Sequence, residues 1–100
     1  MPAKKTRSYH ESLIEDLKDP QEAASYLNAA LEESDEAFLK ALRNVAEAHQ
    51  VAKVADEAGV SRESVYRMLT ESGNPTYHSL VGILRAMGLR LAVQDENTAA

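Results

Sequence analysis

The stretch from Val51 to Leu69, VAKVADEAGVSRESVYRML, constrains the fold more than any other part of this chain. Val54, Ala55 and Ala58 recur three to four residues apart, which places them on one face of a short helix. Gly59 ends that helix. A sharp corner between two helices needs a residue that takes positive φ without a Cβ clash, and Val60 can plug the inside of such a corner. Ser61 is placed to cap a second helix, with Glu63 in its positive first turn. On that second helix Val65, Met68 and Leu69 point one way, while Arg62, Glu63, Tyr66, Arg67 and Thr70 point the other. A corner built only for packing has no need to gather two arginines and a tyrosine, although solvated polar faces also arise by chance.

This layout resembles the repressor-type helix-turn-helix. In that motif a small residue lets the two helices cross closely, here Ala55, glycine makes the turn, here Gly59, and apolar residues lock the second helix, here Val65 and Met68. In the DNA-binding reading that follows, Arg62 and Arg67 face guanine edges or phosphates, Tyr66 a phosphate or a thymine methyl, and Ser61 and Thr70 phosphate. Glu63 either accepts from a cytosine amino group or favours the helix start. One position departs from the pattern: such motifs often open with a glutamine on phosphate, whereas Val51 stands there and Gln50 lies one residue early. The alternative is a helical corner used for packing alone.

Around this stretch the remaining elements follow in order. The first eight residues are polar and basic, a mobile arm or an untethered terminus. Tyr9, Leu13, Ile14 and Leu17 follow helical spacing over a short segment. Asp19 can cap a helix with Pro20 at its first position and Glu22 reaching back, and Ala23, Ala24, Leu27, Ala30 and Leu31 form its inward stripe. Ser34 or Asp35 caps the next helix, which turns Phe38, Leu39, Leu42, Val45 and Ala46 inward and ends near His49. After the corner, Gly73 is expected to be a left-handed stop. Thr76 then caps a helix bearing Leu80, Val81, Ile83, Leu84 and Met87, with Pro75 and Leu80 placed as a hydrophobic staple and Gly88 at its end. Residues 89–94 alternate, with Leu89, Leu91 and Val93 on one face, which is a strand pattern. A single strand leaves its amides unpaired, so pairing with a second copy or with another protein is expected. The tail from Asp95 to Ala100 reads as disordered.

Composition narrows the chemistry. One hundred residues, 44% of them apolar, suit one modest core and leave little room for a buried catalytic cleft. There is no cysteine, His10, His49 and His78 lack a ligand spacing, and acids such as Glu15 and Asp16 are not coupled to a nucleophile or a phosphate loop. Neither an enzyme, nor a cofactor, nor a metal site is expected. No apolar run approaches a membrane span, so a cytoplasmic protein is the default. The formal charge of −5 speaks against a nucleic-acid binder at first sight. The acids are segregated, however: residues 11–48 hold ten of them against Lys18, Lys40 and Arg43, whereas residues 49–90 hold five basic residues and four acids. An acidic half fits a basic partner, or simply a solvated helix surface.

Three segments together, RSYHESLIEDLKDPQEAASYLNAALEESDEAFLKAL, GVSRESVYRML and GNPTYHSLVGILRAMGLRLAV, resemble the addiction-module antidote proteins, HigA-like antitoxins of bacterial toxin-antitoxin pairs. The likeness spans residues 7–94, and His49 and Gln50 stand where such chains often have a glycine. It implies a mostly α fold: a repressor-like helix-turn-helix bundle with an amino-terminal helical extension and one short carboxy-terminal β-strand. It implies an antitoxin that binds a RelE/HigB-like toxin and represses its own operon as a homodimer on double-stranded operator DNA. Residues 1–34 are then the candidate toxin-contacting extension, 35–94 the DNA-binding domain with its strand, and 95–100 the tail of one compact unit. A stand-alone helix-turn-helix regulator, or a protein-interaction module without DNA binding, is the alternative.

Overall fold

Caps written into the sequence set where the helices begin. The computed structural model describes residues 8–70 and 72–98; the basic arm expected before Ser8, the residue at position 71 and the last two residues of the tail lie outside that range. Among the described residues six α-helices follow one another: α1 (Tyr9–Asp16), α2 (Pro20–Glu33), α3 (Asp35–Ala48), α4 (Val51–Ala58), α5 (Arg62–Met68) and α6 (Tyr77–Ala86). Ser8 starts α1 through a full capping box: its hydroxyl accepts from the Glu11 amide while the Glu11 carboxylate accepts from the Ser8 amide. Asp19 caps α2 through the Gln21 amide, with Pro20 in the first turn, and Glu22 makes no reciprocal bond among those described. Ser34, Ser61 and Thr76 cap α3, α5 and α6 by accepting from the amides of Ala37, Ser64 and Ser79. Each cap satisfies an amide that has no partner inside its helix, and losing one costs about 1 kcal/mol.

One core runs through the described chain. Leu17, Ala23 and Leu27 from the amino-terminal part join Leu39, Leu42, Val45 and Ala46 of α3, Val54 and Ala55 of α4, Val65 and Leu69 beside them, and Ile83, Leu84 and Met87 of α6. No polar or charged residue is buried among those described. α2 lies along α3, and the seam is pinned by a hydrogen bond of 2.8 Å from the Asn44 amide group to the Tyr26 hydroxyl. α4 packs on both α5 and α6. Ala30 packs partly on this core, but Leu31 is 53% exposed, and Phe38, expected inside, is only half-buried. Both line a surface groove of about 430 Å³ between α2, α6 and the segment after it.

Three expectations need correction. Residues 89–94 form no β-strand, and none occurs among the described residues. A strand needs a neighbour for its N–H and C=O groups, and the described residues supply none. Leu89 instead packs partly on the core while its amide donates to the Leu84 carbonyl at 2.9 Å, as part of the stop after α6. Leu91 stays 42% exposed and Val93 wholly exposed. Gly73 is not a left-handed stop: positive φ among the described glycines belongs to Gly59 (76°) and Gly88 (78°). What requires glycine at position 73 is close approach, because a Cβ there would collide with the Met68 carbonyl. Finally, Glu96–Thr98 form a short 3-10 turn where no regular structure is expected.

Candidate functional site

The corner between α4 and α5 closes through backbone bonds alone. The Val60 amide donates to the Ala55 carbonyl at 3.0 Å and the Gly59 amide to the Asp56 carbonyl at 3.2 Å, so two of the last four carbonyls of α4 are answered while Gly59 sits in the left-handed region at φ 76°, ψ 28°. Val60 then packs partly on the core, inside the bend. Ala55, only 3% exposed, leaves room for the two helices to approach. Val65 and Leu69 are buried and Met68 is half-buried against them, which fixes the rotation of α5 about its axis.

That rotation decides what α5 shows to solvent. Arg62, Glu63, Tyr66 and Arg67 are all exposed, Tyr66 at 44%, and Thr70 is half-buried at the far end of the same face. Side chains at this spacing sweep less than half of the helix circumference, so the two guanidinium groups, a phenol and a carboxylate share one surface. Ser61 and Thr70 are already engaged. The Ser61 hydroxyl accepts from the Ser64 amide at 3.0 Å and donates to the Ser64 hydroxyl at 2.9 Å, and the Thr70 hydroxyl donates to the Arg67 carbonyl at 3.1 Å. Both terminate the helix as well as border the face. Ser64 is a participant that sequence reasoning passed over: its hydroxyl also accepts from the Arg67 guanidinium at 3.2 Å and so restrains that side chain along α5. The Ser61-x-x-Ser64 spacing was the available signal.

The start of α4 is unusual. Gln50 precedes it at φ 68°, ψ 107°, the one non-glycine residue with positive φ among those described, and its side chain caps no amide. The chain thus turns as a glycine would allow, with glutamine in the place. Leu89, Leu91 and Val93, grouped by alternation in the sequence, part company: Leu89 lies against the core, while Leu91 and Val93 are exposed apolar side chains. No group of three or more His, Cys, Asp or Glu residues able to hold a metal ion occurs among the described residues. No described helix is long and apolar enough to cross a membrane.

The architecture defines a small, mostly helical protein that presents a mixed-charge helix face beyond a tight glycine corner. The family model described as "Probable addiction module antidote protein" matches residues 8–95, and this chain belongs to that family. A relative from Haemophilus influenzae (strain ATCC 51907 / DSM 11121 / KW20 / Rd), described only as an uncharacterized protein, is 36% identical over 88 residues, which cover 87% of this chain and 91% of the relative. No solved structure matches the chain significantly.

Proposed function

We propose that this chain is the antitoxin of a type II toxin-antitoxin module, working in the cytoplasm. It silences a basic, RelE/HigB-like toxin by direct binding and represses its own operon by binding double-stranded DNA as a homodimer. Membership of the antidote family supports the toxin partner. The observation that carries DNA binding is the joint exposure of Arg62, Tyr66 and Arg67 on α5, held outward by buried Val65 and Leu69 behind the Gly59 corner. A helix so braced is a helix-turn-helix reading element, able to enter the major groove and meet base edges with arginine. The exposed acids of α2, Glu22, Glu32 and Glu33, face outward and suit a basic toxin. The exposed apolar side chains of Leu91 and Val93 offer a contact for the second copy.

The test pairs two assays on the full chain. In a gel shift on the DNA upstream of its own coding region, Arg67→Ala weakens binding by about 1–3 kcal/mol if Arg67 reads a base. An unchanged affinity removes Arg67 from the interface. In a pull-down with the basic protein encoded next to it, Glu32→Lys combined with Glu33→Lys reduces capture while the gel shift persists. Point substitutions serve better here than removal of residues 1–34, since Leu17, Ala23 and Leu27 belong to the core.

A further inference from the structure

Beside the end of α5, one patch joins two cations that have no partner among the described residues to an opening in the surface. Lys40 and Arg43 lie three residues apart on α3 and so share a face of it. They line a shallow cavity of about 550 Å³ with Glu36 of α3 and with Leu69, Thr70 and Ser72, the residues just past the carboxy-terminal end of α5. Both cations are exposed, and neither has a hydrogen bond or ion pair among the described residues. Glu36 stands four residues before Lys40, the spacing that favours a helical ion pair, yet no such pair forms. At the end of α5 the Arg67 carbonyl takes the Thr70 hydroxyl.

The placement is selective. Between residues 11 and 48 there are three cations, and Lys18 is held by Glu15 at 3.1 Å. The two left over stand together where α3 meets the end of α5, and Thr70 belongs both to their cavity and to the outward face of α5. We infer that Lys40 and Arg43 form a phosphate-binding flank of the DNA interface, gripping the sugar-phosphate backbone beside the groove that α5 enters. This rests on the DNA-binding reading above and extends it to a helix outside the corner. Such contacts set register and affinity without reading sequence.

Each phosphate neutralised releases condensed counterions, so the slope of log K against log salt changes by about 0.9 per contact. The full-length chain is titrated, by fluorescence anisotropy over a salt series, against two duplexes: the region upstream of its own coding sequence, and a scrambled duplex of the same composition. The Lys40→Gln/Arg43→Gln double variant flattens the slope by about two on both duplexes, with the ratio of the two affinities unchanged. The Lys40→Arg/Arg43→Lys exchange keeps the wild-type slope. Lys18→Gln, which removes one charge from a residue already paired, also keeps it. An unaltered slope in the double variant overturns the inference, and so does equal flattening by Lys18→Gln, which would reduce the effect to net charge. Wild-type failure to bind either duplex overturns the DNA reading itself and this flank with it. Both positions are exposed, so far-ultraviolet circular dichroism and melting of the variants are expected to match the parent.

Discussion

Replacing Gln50 by glycine is expected to make the protein more stable. At φ 68°, ψ 107°, Gln50 lies beyond the small left-handed basin that side chains tolerate, which ends near ψ of about 60°. Conformations of this kind cost on the order of 1–3 kcal/mol, and the surrounding structure must hold them in place. Here the holding is visible. The Gln50 carbonyl accepts from the Lys53 amide at 3.0 Å and the Val54 amide at 3.1 Å, opening α4, while its own amide donates to the Glu47 carbonyl at 3.1 Å behind it. The side chain gives nothing in return, since it is exposed and caps no amide. Gln50→Gly removes the Cβ clash but adds freedom to the unfolded chain, which costs about 0.5–1 kcal/mol. The net gain is therefore about 1 kcal/mol, which for a domain of this length raises the midpoint of thermal unfolding by roughly 4–8 °C. Gln50→Ala is the companion variant, because it discards the side chain yet keeps a Cβ in the strained geometry. It is expected to stay within about 0.5 kcal/mol of the parent. Urea titrations of all three, with equal slopes, would show the difference as a shift in midpoint. A glycine variant that melts at or below the parent temperature refutes the strain. An alanine variant as stable as the glycine one would place the effect in the side chain instead of the backbone.

Gly82→Ala is also expected to stabilise, by about 0.5–1 kcal/mol, because it lies inside α6 and a Cβ there would meet Ala58 at an ordinary 3.6 Å; a lowered midpoint would mean α4 and α6 approach more tightly than this. Gly73→Ala acts the other way. Its Cβ would collide with the Met68 carbonyl, so the backbone after α5 must shift, at a cost of about 1–3 kcal/mol read in a denaturant titration, and full retention of stability would contradict the close approach. Val93→Ser, at a wholly exposed position, is expected to leave monomer stability within about 0.5 kcal/mol of the parent while weakening self-association in sedimentation. Unchanged association would exclude Val93 from the contact between copies.

What could be read from the sequence is what depends on neighbours in the chain. Ser34, Ser61 and Thr76 each meet an amide three residues on, Asp19 one two residues on, and Gly59 needs only its own φ, so caps and corner follow from local rules. The outward set on α5 was equally legible, since helical spacing together with Val65 and Leu69 fixes the orientation. Gly73 was misread because a glycine after a helix looks the same whether it needs positive φ or nearness to another carbonyl. The alternation of residues 89–94 describes two faces, but a ladder requires a second strand, which no local pattern can supply. Leu31 and Phe38 obey the apolar spacing of their helices and still end on a groove, because periodicity gives the direction of a side chain and not what covers it. The cavity of Lys40 and Arg43 joins residues about thirty positions apart and had no signal of its own in the sequence.

The charge of −5 is the plainest objection to a DNA-binding role, and the fold changes its weight. Salt at physiological strength confines the field of an exposed charge to about 8 Å, whereas the protein measures 48 × 36 × 24 Å along its principal axes. A phosphate at the α5 face therefore responds to charges within a small part of the surface. On the exposed face of α5 Arg62 and Arg67 outnumber Glu63, whereas at the adjoining cavity Lys40 and Arg43 stand with Glu36, and Glu33 lines a neighbouring cavity with Lys40. The exposed acids Glu22, Glu32 and Glu33 belong to α2, which packs along α3, and act on a different partner in the proposed scheme, although Glu33 also borders Lys40 across that seam. Net charge governs only when screening is weak. At about 0.01 M salt the screening length grows to roughly 30 Å, comparable with the protein itself, and the acids of α2 then oppose the DNA binding proposed for α5. An acidic total is thus compatible with the proposed reading face on α5, where two cations stand with one acid, even though Glu33 brings the acidic surface of α2 up to Lys40.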